Sequence, residues 1–517
     1  MNLVAQYGSE VSRNLTSVGS FRPELALTFG TLLLFLADVI WRKSSARRTV
    51  MTIGAMAVLG VAALLLAGQP VDGARLFNGM LSNDAFATFF KWLFLGAGLA
   101  TVGIAAQGKD FPAQRIGQFY ALLMAVVLGL FLMSSASDLL MMYMAIELVS
   151  MVSYVLAGFK KGDRRAAEAS LKYVIYGGVA SGVMLFGMSY LYGLTRTTDI
   201  FRIAAQVQSL QVGALGPAYK LTIVLAVVFV TAGIGYKVAA VPWHMWCPDV
   251  YEGAPTVFTA FLSVGPKAAG LALAIRFFYT AFAVPSGVEG FPAALAGVPW
   301  PAVVGIIAAV TMTLGNLTAL SQTNVKRLLA YSSIAHAGYM LMGVAALSEL
   351  GKQGVMLYML IYVIMNIGAF LVVIVVAEST GSESILDYRG MSKRQPLAAL
   401  ALAIFLFSLT GIPPFAGFAG KWYLFYAIIE RIPQAGGQWY AVLAIIAALN
   451  TMIALFYYVR IIRAMYIDPP YTAPTPMKTP VFYQVMLAGL STAVLLFGVW
   501  WTPMINWTQA SLRLFRG

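Results

Sequence analysis

The sequence predicts an all-α polytopic membrane protein of about fourteen transmembrane helices, carrying an inverted repeat and breaks in its seventh and twelfth helices. Three observations lead there. The chain is 60% hydrophobic and 10% charged, with a mean hydropathy of +0.80, whereas soluble domains carry about 25% charged residues. Apolar windows recur along its whole length, each near the roughly 20 residues that cross a hydrocarbon core. Two of those windows contain glycine–proline interruptions in corresponding places.

The windows fall near residues 25–41, 50–68, 85–107, 115–134, 138–159, 169–194, 219–241, 255–283, 301–321, 328–348, 354–377, 396–430, 440–466 and 480–502, and are numbered here as spans 1 to 14. No room is left between them for a soluble domain. Residues 1–23 hold Glu10, Arg13 and Arg22 and lack the apolar core and cleavage site of a secretory signal, so span 1 is expected to be an uncleaved anchor.

The net charge of +14 points to basic cytoplasmic loops rather than to nucleic acid. Connections after odd-numbered spans hold about 18 Lys and Arg, including Arg42, Lys43, Arg47, Arg48, Lys160, Lys161, Arg164 and Arg165, against about 10 on the other side. Both termini are therefore expected outside the cytoplasm. A single cysteine, Cys247, excludes an internal disulfide and any cysteine-ligated cluster within the chain. No phosphate-binding loop and no His/Cys group with ligand spacing is present, so redox chemistry, if any, belongs elsewhere.

The segment AIELVSMVSYVLAG at 145–158 and the segment AYSSIAHAGYMLMG at 330–343 share Ala, Tyr, Leu and Gly in register. They lie in spans 5 and 10, an odd number of helices apart, so the copies run in opposite directions across the bilayer, as in an inverted-topology repeat. Span 7 is expected to break at Gly233, Gly235 and Pro242, and span 12 at Gly411, Pro413, Pro414, Gly417 and Gly420. Proline removes a helix hydrogen bond, which lipid tolerates only where protein or a water-filled cavity satisfies the freed carbonyl. Paired breaks of this kind mark a transport path.

Charged side chains inside apolar windows are the informative residues, since each costs about 2.5–3.5 kcal/mol at a helix centre unless paired or hydrated. Glu147, Lys172, Lys237, Lys267 and Lys421 are of this kind, and together they read as a proton relay. Burial brings the charged and neutral forms of an amine or carboxyl closer in free energy, which suits proton exchange. His336, beside Ser332 and Ser333 in span 10, is a candidate relay between the two repeats or a core histidine. Lys91 and Arg276 lie nearer window ends and are expected to snorkel to the interface. His244 follows the break at Pro242 and leads into a loop expected to present Asp249 and Glu252. Gly177, Gly178, Ser181 and Gly182 are expected to let helices approach closely.

Three longer strings carry a family resemblance: GNLTALSQTNVKRLLAYSSIAHAGYMLMG (315–343), GYKVAAVPWHMWCPDVYEGAPTVFTAFLSVGPKAAG (235–270) and SLTGIPPFAGFAGKWYLF (408–425). The chain, over roughly residues 25–500, resembles the antiporter-like subunits of complex I. PDVYEGAP, SVGPKAAG and Lys421 are closest to the subunit N group; subunits L and M typically carry a histidine in the PDVYEGAP loop, and M a glutamate at Lys421. The long C-terminal lateral helix of subunit L is not expected after span 14. Cys247 stands where the family usually has Ala or Thr, without mechanistic consequence.

The resemblance implies a fourteen-helix bundle: an N-terminal three-helix segment (1–114), a first inverted repeat (spans 4–8, 115–283), a second (spans 9–13, 301–467), and a last span with its tail (480–517). It implies that Glu147 and Lys237 match the family's glutamate–lysine pair, Lys267 its central lysine, Lys421 its exit lysine, and Lys172 a sixth-span lysine of subunit N. It implies a membrane-arm subunit of a proton-translocating NADH:quinone oxidoreductase in a bacterial inner membrane. NADH, flavin, iron–sulfur clusters and quinone are expected in partner subunits, with a neighbouring antiporter-like subunit, small membrane subunits and lipids around this chain. Protons are expected to enter near broken span 7, pass Lys237 and Lys267, and leave by Lys421, with Glu147 gating Lys237. The alternatives are a subunit of a cation/proton antiporter or membrane-bound hydrogenase, and a non-conducting scaffold.

Overall fold

A computed structural model of the chain describes residues 11–12, 14–209, 216–434, 436–470 and 477–512; Glu10, Arg13 and Arg516 lie outside them. Five of the spanning helices begin directly after a capping side chain. Asp84, Asp138, Asp163, Asn324 and Ser348 each accept a backbone N–H from the first turn of the helix that follows, satisfying donors that lipid would leave bare. Among the described residues thirteen helices are long and apolar enough to cross a membrane. They match all the expected spans but the twelfth, from Arg22–Ile40 for span 1 to Val481–Val499 for span 14. Span 12 is missing from that set because its break divides it into Pro396–Thr410 and Ala416–Arg431. Two short antiparallel hairpins, Ala74–Leu76 with Leu81–Asn83 and Ala283–Val284 with Ala293–Ala294, close loops between spans.

Burial sorts the spans. Spans 1, 2, 13 and 14 bury a third or less of their apolar windows, while spans 8, 10 and 11 bury 100, 94 and 89% of theirs. Leu33, Leu64, Met452 and Phe456 stand exposed on the outer helices, an apolar surface suited to lipid or to neighbouring membrane subunits. The axis of the molecule therefore runs through spans 8, 10 and 11, which carry Lys267 and His336.

The breaks differ in detail from expectation. Span 7 is a continuous helix, Pro217–Val238, through Gly233 and Gly235; it stops at left-handed Ala239 and resumes as Trp246–Gly253, with cis-Pro242 between. The two glycines serve packing, since a β-carbon on Gly233 would meet Met184 and one on Gly235 would meet Trp243. Freed backbone groups find partners: Trp246 Nε1 donates to the Tyr236 carbonyl (3.1 Å) and the Val241 N–H donates to Thr311 Oγ1 of span 9 (3.0 Å). Span 12 stops at Gly411 and resumes at Ala416, with cis-Pro414 between, so Gly417 and Gly420 lie inside the second helix. A third, shorter interruption, unexpected from the sequence, falls at Ser263 and Val264 between Thr256–Leu262 and Gly265–Ala281, just before Lys267, and leaves span 8 long enough to cross a membrane. Ser263 at that break accepts from Asn366 Nδ2 of span 11 (2.6 Å).

Of the three glycines expected to let span 6 approach its neighbours, Gly177 packs closely, with Tyr154 Oη where its β-carbon would be, while Gly178 and Gly182 face open space; Gly187, not among them, packs on Phe229 and Ala226 of span 7. Span 6 lies against both halves of span 7, and span 11 against both halves of span 12.

Candidate proton path

Eight Lys and Arg side chains are buried among the described residues. Five are held by carboxylates: Arg47 by Asp38 (2.6 Å), Lys91 by Glu24 (2.6 Å), Arg276 by Asp84 (2.7 Å), Lys326 by Glu383 (3.0 Å) and Lys352 by Glu349 (2.7 Å). Lys91 and Arg276 thus do not snorkel. A partner carried by a remote segment reaches each of them inside the bundle, which removes the need to reach the interface.

Lys237, Lys267 and Lys421 are the remaining three, and among the described residues no carboxylate lies within ion-pairing distance of any of them. Lys237, in the last turn before the span 7 break, donates to Ser150 Oγ of span 5 at 2.7 Å. Glu147 is one helical turn from Ser150, and its Oε1 is buried with no hydrogen-bond partner among the described residues. The expected Glu147–Lys237 pair is therefore apart in this conformation. Lys267 Nζ likewise has no hydrogen-bond partner among the described residues and lies 5.8 Å from the centre of the Tyr251 ring. Lys421, five residues past the span 12 break, turns back to donate to the freed carbonyl of Thr410 (2.9 Å), above the ring of Tyr339 (4.6 Å).

These groups lie near one another in succession, with gaps between them. Gly270, one turn after Lys267, packs on the Lys237 side chain. Tyr251 hydroxyl meets Ser333 Oγ of span 10 (3.4 Å), one turn before His336. His336 is fully enclosed between two phenols, with Tyr358 at Nδ1 (2.6 Å) and Tyr458 at Nε2 (3.1 Å), and Tyr458 continues to Ser332. Tyr339, which carries Lys421, is 6.1 Å from the His336 ring, centre to centre.

Lys172 lies off this line. It bridges Glu168 and Asp249, each at 2.6 Å, and Arg327 joins Asp249 (2.7 Å) to Glu252 (2.8 Å). Asp249 and Glu252 are thus on the helix Trp246–Gly253 and in an ion-pair network, not on a solvated loop. His244 is largely buried, with Nδ1 unpartnered among the described residues.

Sequence reasoning missed Ser150, Thr410 and the tyrosines 251, 339, 358 and 458. With 25 tyrosines scattered along the chain, a tyrosine in an apolar window carries no signal of its own. The hydroxyls become visible only when folding aims them at a lysine or histidine.

Residues 136–451 match the family described as NADH:quinone oxidoreductase/Mrp antiporter, TM. The NADH-quinone oxidoreductase subunit N of Anaeromyxobacter sp. (strain Fw109-5) is 71% identical over 511 residues, covering 98% of this chain and 99% of its own. NADH-quinone oxidoreductase subunit N 2 of Sorangium cellulosum (strain So ce56) is 44% identical, covering 97% and 99%. A chain of respiratory complex I from Thermus thermophilus with bound aureothin superposes with a TM-score of 0.74 at 28% identity, covering 94% of this chain and 98% of its own. A chain of the Mrp complex from Dietzia sp. DQ12-45-1b shares the fold, with a TM-score of 0.77 at 18% identity over 96% and 98% of the two chains.

Proposed function

This chain belongs to the family of NADH-quinone oxidoreductase N subunits, and from that premise we propose that it carries protons across the membrane through Glu147, Lys237, Lys267, His336 and Lys421. As an N subunit it is a multi-pass membrane protein working among other membrane-arm subunits of complex I. The observation that carries the proposal is the division among buried cations: five are fixed by carboxylates, whereas Lys237, Lys267 and Lys421 are not. A cation locked to a carboxylate has little reason to release its proton. One held by a hydroxyl or a carbonyl is free to do so, and intramembrane ionisable residues of this kind mark proton relays.

In this reading spans 4–8 and 9–13 are the two inverted repeats, the N subunit lies in a bacterial inner membrane, and both termini are extracytoplasmic. Protons enter beside the broken span 7, cross by Lys237, Lys267 and His336, and leave by Lys421. Water bridges the gaps that side-chain contacts do not span. The Lys172–Asp249–Arg327–Glu252 network acts as a polar mouth that leads to the line rather than as a member of it. Moving one proton against 100 mV takes about 2.3 kcal/mol. Quinone reduction in partner subunits, which also hold the flavin and iron–sulfur clusters and bind NADH, supplies it.

The test is proton uptake per NADH oxidised by the reconstituted complex with Lys237, Lys267 and Lys421 all replaced by Met. Uptake should be lost or greatly reduced. Unchanged uptake in a fully assembled triple variant would return the chain to the role of scaffold.

A further inference from the structure

We infer that Ser150 is a positioning residue: an uncharged dock that holds Lys237 away from Glu147 and so sets the conformation from which Lys237 passes its proton on. This rests on the proton-path reading above. Ser150 is fully buried in span 5, and Lys237 Nζ donates to its Oγ at 2.7 Å. The serine hydroxyl is itself committed, donating to the Ile146 carbonyl at 2.7 Å. Its oxygen lone pairs are therefore left to face Lys237, and it can act there only as an acceptor.

Glu147 and Ser150 stand at i and i+3 on one helix, where β-carbons are about 5–6 Å apart. A lysine side chain, with four rotatable bonds, spans that distance by rotamer change with its backbone fixed. Two docks for one ammonium thus lie one turn apart: a carboxylate, and a neutral oxygen that attracts it far less. In this structure the neutral dock is occupied and Glu147 Oε1 is without a partner. Without Ser150 nothing within hydrogen-bonding distance would oppose collapse of Lys237 onto Glu147.

The test uses the intact complex reconstituted in vesicles, reading proton uptake per NADH oxidised. Ser150→Ala, close to isosteric, should lower uptake roughly tenfold or more, the lower end of the worth of a hydrogen bond to a charged group. Ser150→Thr should match the parent, because it keeps the hydroxyl. Adding Glu147→Asp to Ser150→Ala should recover part of the lost uptake, since the shorter carboxylate competes less well for the lysine; a purely structural role for Ser150 gives no such suppression. If the alanine variant assembles poorly, Ser150→Cys, a weaker acceptor of similar size, should give an intermediate loss with the same suppression. Uptake within twofold of the parent for Ser150→Ala, or no recovery in the double variant, overturns the assignment. Lys237→Met run beside them separates the two levels. Its loss of uptake with a normal Ser150→Ala sinks Ser150 alone, while normal uptake by Lys237→Met removes the path through Lys237 and the dock with it.

Discussion

Lys421 Nζ donates to the backbone carbonyl of Thr410 at 2.9 Å, so the charge of the second helix half of span 12 is held by the oxygen that the break in the first half sets free. In lipid neither group is tolerable alone. The break gives the lysine a partner, and the lysine satisfies the break.

Lys421→Met should therefore slow proton pumping and coupled NADH oxidation together, because it removes the ammonium and leaves the Thr410 carbonyl bare. Lys421→Arg should not restore full rates, since arginine keeps its proton at any physiological pH. An arginine variant that pumps like the parent would make Lys421 a fixed electrostatic post.

Gly411→Ala offers a check on the same arrangement without touching a charge. Gly411 has φ +87°, and a β-carbon there would lie 2.7 Å from Lys421 Cδ. A left-handed alanine costs about 1–2 kcal/mol and pushes the lysine off Thr410. The assembled variant should pump several-fold more slowly; parental rates would show that the lysine's position is not critical.

Glu147→Gln keeps side-chain volume and deletes the titratable charge. Pumping in reconstituted vesicles should fall strongly while the complex assembles normally. Full pumping by an assembled variant would make the carboxylate structural.

Arg276 and Asp84 test the opposite class, the cations that are fixed. The guanidinium holds both carboxylate oxygens, at 2.7 and 2.9 Å, deep in the bundle. Breaking such a pair from one side costs about 3–5 kcal/mol. Asp84→Asn, which keeps the helix cap to Ala87 N–H, and Arg276→Met should each lower the thermal midpoint and yield of the complex, and the double variant should lose less than their sum. Pumping per assembled complex should hardly change.

Topology is checked by reporter fusions. Those after Arg48, Lys161 and Arg394 should read cytoplasmic and one after Arg516, outside the described residues, extracytoplasmic. A cytoplasmic reading there would break the inverted-repeat assignment.

The amino-acid sequence by itself determined the span count, the approximate sites of the breaks at Pro242 and at Pro413 and Pro414, and which charges fall inside apolar windows. These are local properties: a lipid-exposed helix satisfies its own backbone, so hydropathy over about 20 residues is signal enough. The span 8 break was less legible, for Gly265 and Pro266 sit at the start of its second helix, where proline is also an ordinary first-turn residue. Tertiary structure alone decided which buried cations are neutralised. Lys91 and Lys237 look alike in their windows, yet Lys91 meets Glu24 and Lys237 meets only a serine hydroxyl. Arg276 finds Asp84 across 192 residues of chain. No periodicity records such a pairing, because it depends on which helices pack side by side and at what depth their side chains meet.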